Sequence, residues 1–189
     1  MAQTTGGLTV LSGPSAVGKT TISQDVRERY PEVWISVSVT TRPPRPGEVE
    51  GVHYHFISEN EFTELVDTGQ MLEWAIVHGA YRYGTPREPV LEVLAAGKHA
   101  LLEIDLQGAR QVRETMPDAQ FIFLAPPSWE ELERRQIGRG TEDEGERLRR
   151  LETAEGEMAA QTEFDHVVVN NEVHHATDEL IALMGITPH

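Results

Sequence analysis

The residues best suited to chemistry lie in "GPSAVGKT", Gly13 to Thr20, which fits the spacing G-x-x-x-x-G-K-[ST] in full. A strand-like run, "LTVLSG", precedes it, and a helix-like run over 18–30 follows. Glycines in that setting let the backbone bend until successive N–H groups point inward, and the helix terminus adds partial positive charge. The loop Gly13, Pro14, Ser15, Ala16, Val17, Gly18 therefore reads as a cradle for a phosphate chain. Lys19 is placed to reach the outer phosphates, and the Thr20 hydroxyl to ligate Mg²⁺. A glycine-rich turn without a ligand is the bland alternative, and the correct flanks on both sides weigh against it.

A second concentration of charge sits in "VSVTTRPPRPGE", where Arg42 and Arg45 flank Pro43 and Pro44. Proline fixes its own φ and pushes the preceding residue toward extended geometry, so this loop is stiff before any ligand arrives. Two preorganised guanidinium groups can clamp a dianionic phosphate, with Ser38 and Tyr54 as neutral donors beside them. At an effective dielectric near 20, each charge pair at about 4 Å gains about 4 kcal/mol before desolvation. The competing reading pairs these arginines with Glu48 and Glu50 on the surface. A further carboxylate, Asp105, ends the apolar run "LLEID". It is placed either to hold a metal or to cap the next helix, and both readings stand.

The bulk numbers bound what such sites can serve. The chain has 189 residues, 39% hydrophobic and 25% charged, which suits one globular folding unit. Its formal net charge is -15, so a broad basic surface for nucleic acid is excluded and any anion site must be local. Lys19 and Lys98 are the only lysines among 16 cationic side chains; the rest are arginine. No apolar run is long enough for a membrane span, and the first residues lack a basic region followed by an apolar stretch, so the cytoplasm is expected. Cysteine is absent, which removes disulfides and thiol nucleophiles.

Strand-like and helix-like segments alternate along the chain, the pattern of an α/β fold with a parallel sheet. Strands are predicted at "LTVLSG", "VWISVSV", "HYHFIS", "MLEWAIVHG", "YRYG", "HALLEID", "QFIFLA" and "HVVVN". Capping-box spacings at Ser58/Glu61, Thr85/Glu88 and Ser128/Glu131 predict three helix starts. A charged helix is expected over about 143–161, and a terminal one from Thr177. The stretch 35–85 is rich in short β segments and 126–159 is helical and arginine-rich, so both read as inserts flanking a cleft.

Taken together, "GPSAVGKTT", "SVSVTTRPPRPGEVEGVHYHF", "LEWA", "YGT", "LLEIDLQGA" and "IFLAPPS" followed by "GRGTE" resemble the guanylate kinase family over roughly residues 8 to 180. The resemblance implies a P-loop nucleoside monophosphate kinase fold, a central parallel sheet flanked by helices. Its core would span about 1–34, 86–125 and 160–189, with a GMP-binding insert at 35–85 and a lid at 126–159. It implies transfer of the ATP γ-phosphoryl group to GMP with Mg²⁺. The expected partners are ATP and GMP, with no nucleic acid or membrane, in a monomer or homodimer.

Position by position, the resemblance puts Ser38, Arg42, Arg45, Tyr54 and Tyr83 on the GMP phosphate. It puts Glu73, Thr85 and Glu103 on the base, Thr21 and Asn170 with the phosphate loop on ATP, and Arg135, Arg139 and Arg150 on the transferring phosphates. Guanine offers N1–H and N2–H₂ donors on one edge, a pair that adenine lacks and a carboxylate such as Glu73 accepts. "HGAYRYGT" carries one residue more than the commoner family form, which leaves Tyr81 and Tyr83 as rival phosphate ligands. Glu103 stands where some members have Asp. No general base is expected, because a phosphate acceptor is already ionised at neutral pH. Kinases for other monophosphates, and a non-catalytic interaction module, are the alternative readings.

Overall fold

The computed structural model describes residues 6–77, 80–137 and 144–189, the side chains of 137 and 144–150 excepted. The chain begins with β1 (Leu8–Ser12), α1 (Lys19–Arg29), β2 (Val33–Ile35), β3 (Val39–Thr40) and β4 (His55–Phe56). It continues through α2 (Glu59–Asp67), β5 (Met71–Val77), β6 (Tyr81–Pro86), α3 (Arg87–Ala95), β7 (His99–Glu103) and α4 (Leu106–Thr115). β8 (Gln120–Ala125), α5 (Trp129–Ile137), α6 (Glu144–Ala159), a 3₁₀ turn (Ala160–Glu163), β9 (His166–Val169) and α7 (Val173–Leu183) complete it.

Five strands form a wholly parallel sheet in the order β2-β7-β1-β8-β9. Its central strands are apolar because both faces are covered. Adjacent residues of one strand serve opposite sides: Leu11, Leu101 and Ile122 pack with Ile22, Val26 and Leu180 of α1 and α7. Val10, Leu102 and Phe121 pack with Val90 and Val112 of α3 and α4. β1 lies at the centre of this sheet, so the loop that leaves it toward α1 emerges at the carboxyl edge, where open α/β sheets bind ligands.

A second sheet, in the order β4-β3-β6-β5, is built from the segment between β2 and α3. Its β5–β6 hairpin is antiparallel, with a register shift between Met71 and Glu73. On one face Trp74 and Arg82 pack under α2, with the Arg82 guanidinium 4.3 Å from the centre of the Phe62 ring and 5.0 Å from that of Trp74. Their sequence neighbours Glu73 and Tyr83 serve the opposite face.

Four predicted elements change. "VWISVSV" divides between the two sheets: after Ser36, whose N–H donates to Leu101, the chain leaves β2 and resumes as β3. "HYHFIS" keeps only the pair of residues in β4 as strand. Thr85 does not cap α3; Pro86 stands at that position without a side-chain cap, because the Thr85 hydroxyl is committed across the hairpin to Glu73. α7 starts four residues before Thr177, with the Glu172 carboxylate accepting from the His174 and His175 N–H groups. Thr177 is buried inside that helix.

The capping box at Ser58 does form: its hydroxyl accepts from Glu61 N–H, and the Glu61 carboxylate accepts from Ser58 N–H at 2.8 Å. Among the described residues no helix is long and apolar enough to cross a membrane. Ser58→Ala removes one side of the box and is expected to cost about 1 kcal/mol, seen as a thermal midpoint lowered by about 2–4 °C with turnover unchanged.

Candidate active site

The phosphate loop is shaped by positive φ angles at three residues, Gly13 at +153° among them. Ala16 has φ +67° and Gly18 has φ +104°, left-handed values that turn peptide N–H groups toward the concave side. Gly18 is held to glycine a second time, since a Cβ there would lie 2.6 Å from Asn170 Nδ2. Lys19, the first residue of α1, folds its ammonium back over the loop and donates to the carbonyls of Gly13 at 2.6 Å and Pro14 at 3.2 Å.

Other elements brace the loop from outside. Asn170, just after β9 and 4% exposed, donates to Val17 O at 2.9 Å. Arg135 of α5 donates to the same carbonyl at 3.1 Å while its Nε engages Glu131 at 2.8 Å. Gln136 reaches Ser15 O at 3.4 Å, and Glu157 of α6 accepts from Ser15 N–H at 3.0 Å. Arg134 pairs with Glu131 on the helix surface. Arg139 and the Arg150 side chain lie outside the described residues.

The arginine loop behaves differently at its two cations. Arg42 is only 6% exposed, and Glu48 grips its outer edge with bonds of 2.7 and 3.0 Å. Its Nε donates to the Tyr83 hydroxyl at 2.9 Å, and Nη1 also reaches Pro43 O at 2.8 Å. These bonds use four of its five N–H groups. The Glu48 hydrogen bonds push the Arg42 pKa further upward, and Arg42 in turn holds Glu48 down to about 2, so both are ionised at any physiological pH.

Glu48 also accepts from the Arg45 N–H at 2.7 Å, which fixes the turn while the Arg45 side chain stays exposed. The pairing of Arg42 with Glu48 thus forms, but around a buried guanidinium rather than on the surface. Glu50 instead binds His55 Nδ1 and the Phe56 N–H. Of the two rival tyrosines, Tyr83 carries its hydroxyl to Arg42, whereas Tyr81 is exposed at the hairpin. Tyr54 lies edge-on to Tyr83 at 5.6 Å, and burial raises its pKa. Ser38, between β2 and β3, accepts at its carbonyl from His55 N–H.

Two residues along the same face of β6 from Tyr83, the Thr85 hydroxyl donates to Glu73 Oε1 at 2.6 Å. Glu73 is 5% exposed, and burial pushes its carboxyl up to about 7. Its other oxygen lies against α4, where a Cβ on Gly108 would stand 2.6 Å away. Glycine at 108 is what lets the helix approach a carboxylate so closely. Tyr83 and Thr85 are thereby spaced by one strand repeat, about 7 Å, with a cationic end and a carboxylate end.

Glu103, at the carboxyl end of β7, accepts from the Thr20 hydroxyl at 2.7 Å, and its charge is felt at the Tyr54 hydroxyl. It therefore stands between Thr20, at the end of the phosphate loop, and Tyr54. Asp105 takes the capping option, accepting from Gly108 N–H at 2.7 Å at the start of α4. Thr21 follows Thr20 within α1 and is exposed. The contributions of Gln136 and Glu157 carry no local motif, and the motifs that contain Glu48 and Gly108 do not by themselves show which groups they meet. Only their neighbours' needs, a buried guanidinium and a bent loop, mark them.

A parallel sheet whose central strand opens into a phosphate loop, faced by a small sheet bearing a held guanidinium, is the architecture of a P-loop kinase. The guanylate kinase family model matches residues 6–185. A guanylate kinase of Thermobifida fusca is 63% identical over 178 residues, covering 94% of this chain and 90% of that protein. One from Leifsonia xyli subsp. xyli is 60% identical over 181 residues, 96% of this chain and 71% of that protein. Among solved structures, guanylate kinase from Anaplasma phagocytophilum superposes with TM-score 0.80 at 33% identity, covering 98% of this chain and 87% of that one. Shikimate kinase from Bacteroides thetaiotaomicron, at 17% identity and TM-score 0.54, shares the fold alone. The chain belongs to the guanylate kinase family.

The buried acid has a measurable consequence. With a folded pKa near 7 against about 4.5 for a free glutamate, Glu73 favours the protonated folded state. Its penalty on stability is absent below the unfolded pKa, grows as pH rises between the two values, and is full above about 7, roughly 3 kcal/mol at most. Glu73→Gln is therefore expected to melt close to the wild type at pH 4.5 and several degrees above it at pH 8, measured by thermal denaturation of the ligand-free proteins.

Proposed function

We propose that the protein transfers the γ-phosphoryl group of ATP to GMP, giving ADP and GDP. The observation that carries this reading is the buried Glu73 carboxylate, paired with the Thr85 hydroxyl on the same strand face as Tyr83 and Arg42. Glu73 accepts the N1–H and N2–H₂ donors of guanine, and the loss of such partners is costly enough to reject other bases by large factors.

The acceptor phosphate is held at the other end of that face. Arg42, braced by Glu48, supplies fixed charge and one remaining N–H; the exposed Arg45 supplies the open fork, and Tyr54, Tyr83 and Ser38 the neutral contacts. The ATP phosphates occupy the cradle of residues 13–18, with Lys19 leaving its two carbonyl partners for the outer phosphates. Thr21 and Asn170 belong to the ATP side, Asn170 by propping the loop at Val17. Glu103 serves as the divider between the two seats. The acceptor oxygen is already anionic, so catalysis rests on alignment and on positive charge around the moving group.

The hydroxyl of Thr20 and the carboxylate of Glu103 are hard oxygen donors within hydrogen-bond distance, a set suited to Mg²⁺ that keeps most of its ligands from water and phosphate. Bound there, the ion would neutralise charge on the ATP phosphates. Asp105 would act through its helix cap. Residues 35–85 form the GMP-binding insert and 126–159 the lid carrying Arg135, Arg139 and Arg150. Their closure excludes water and limits ATP hydrolysis. The core is the remaining 1–34, 86–125 and 160–189. The enzyme works in the cytoplasm as a monomer or homodimer, without nucleic acid or membrane.

A coupled assay of ADP formation across nucleoside monophosphates tests the assignment: GMP is turned over far faster than AMP or dTMP, and equal turnover of AMP would overturn it. Arg45→Ala is expected to raise KM for GMP by about 10- to 100-fold, the loss of one charged hydrogen bond, with ATP affinity nearly unchanged. Lys19→Ala instead cripples turnover. A loss confined to the ATP side in Arg45→Ala would contradict its placement.

A further inference from the structure

We propose that Gln111 of α4 is a specificity-positioning residue: its carboxamide pins the free edge of β5 at Trp74, sets the place of the adjoining Glu73 carboxylate, and so fixes the preference for guanine. The inference rests on the reading of Glu73 as the base acceptor.

β5 is the outer strand of the second sheet and pairs only with β6. In an antiparallel pair, alternate residues turn both peptide groups outward, and Trp74 is one of these. Its N–H donates to Gln111 Oε1 at 3.1 Å, and its carbonyl accepts from Gln111 Nε2 at 2.8 Å. One side chain thus imitates a neighbouring strand and ties the second sheet to a helix of the central sheet.

The tie falls where β5 is least determined by its own partner. A register shift separates Met71 from Glu73, so pairing with β6 changes step just before the acid. Gln111 clamps the residue immediately after. The same face of α4, three residues earlier, presents Gly108 to Glu73 Oε2, while Thr85 holds Oε1. The carboxylate is therefore located by three contacts, of which Gln111 governs the backbone. Recognition of two donors by one carboxylate tolerates displacement of only about 0.5 Å.

The test compares kcat/KM for GMP with that for inosine monophosphate, which keeps N1–H and lacks the 2-amino group, in wild type, Gln111→Met, Glu73→Gln and the double variant. Gln111→Met is expected to lower the GMP preference about 10-fold, through KM for GMP, with kcat and KM for ATP nearly unchanged. The double variant should show no less preference than Glu73→Gln alone. Gln111→Asn, whose shorter amide cannot span both groups, should fall between wild type and Gln111→Met, and serves if the latter does not fold.

A lowered melting temperature with an unaltered GMP preference would make Gln111 a structural brace only and overturn the proposal. A further loss of preference in the double variant would show that Gln111 acts by a route other than Glu73, and overturns it too. An unaltered preference in Glu73→Gln would instead overturn the reading of Glu73 itself, and this proposal with it.

Discussion

Two phosphorylated nucleotides repel each other, and this protein must bring them end to end while carrying a formal net charge of -15 itself. Bulk electrostatics oppose both ligands, so attraction has to come from a few fixed positive groups at short range, where Coulomb energy is largest and least screened. The fold supplies them in three forms. On the proposed reading these are the peptide N–H groups of the phosphate loop, the dipole at the amino terminus of α1, and the charges of Lys19, Arg42 and Arg45. The acidic residues that could neutralise these groups are themselves employed as supports. Glu48 is the clearest case, holding the Arg42 guanidinium and the Arg45 backbone together.

A second expense is accepted at the seam between the sheets. Burying Glu73 beside α4 raises its pKa to about 7, a penalty that the Thr85 hydrogen bond offsets only in part. The seam is narrow because residue 108 is glycine, and it is stitched by the Gln111 amide. On the core side of that seam, Glu103 of β7 accepts from the Thr20 hydroxyl of α1. Strain at Ala16 and burial at Glu73 are thus local costs borne by an apolar core centred on β1, β7 and β8.

Most strands and helices were legible because their signals are local. Apolar runs such as "QFIFLA" and "HALLE" had nowhere to go except a sheet covered on both faces, and Ser58 with Glu61 marks a helix start by side chains three residues apart. Two of the misread elements share one cause. "VWISVSV" looks like one strand but serves two sheets, and Thr85 has capping spacing but spends its hydroxyl on a distant carboxylate. In each case a long-range partner outbid the local pattern, and no window of sequence contains both partners.

The order of residues by itself determined that a phosphate chain could be cradled at 13–20, that a stiff cationic loop follows β2, and that the scaffold is a parallel α/β sheet, because glycine spacing, proline stiffness and apolar periodicity act over a few residues. Only the tertiary structure decided which groups meet. It brought Tyr83 rather than Tyr81 to Arg42, gave Asp105 to a helix end, set Glu103 against Thr20, and placed Gln111 on the edge of β5. Apart from the Asp105 cap, which spans three residues, those choices depend on hydrogen bonds between segments tens of residues apart, whose geometry exists only once the sheets and helices are packed.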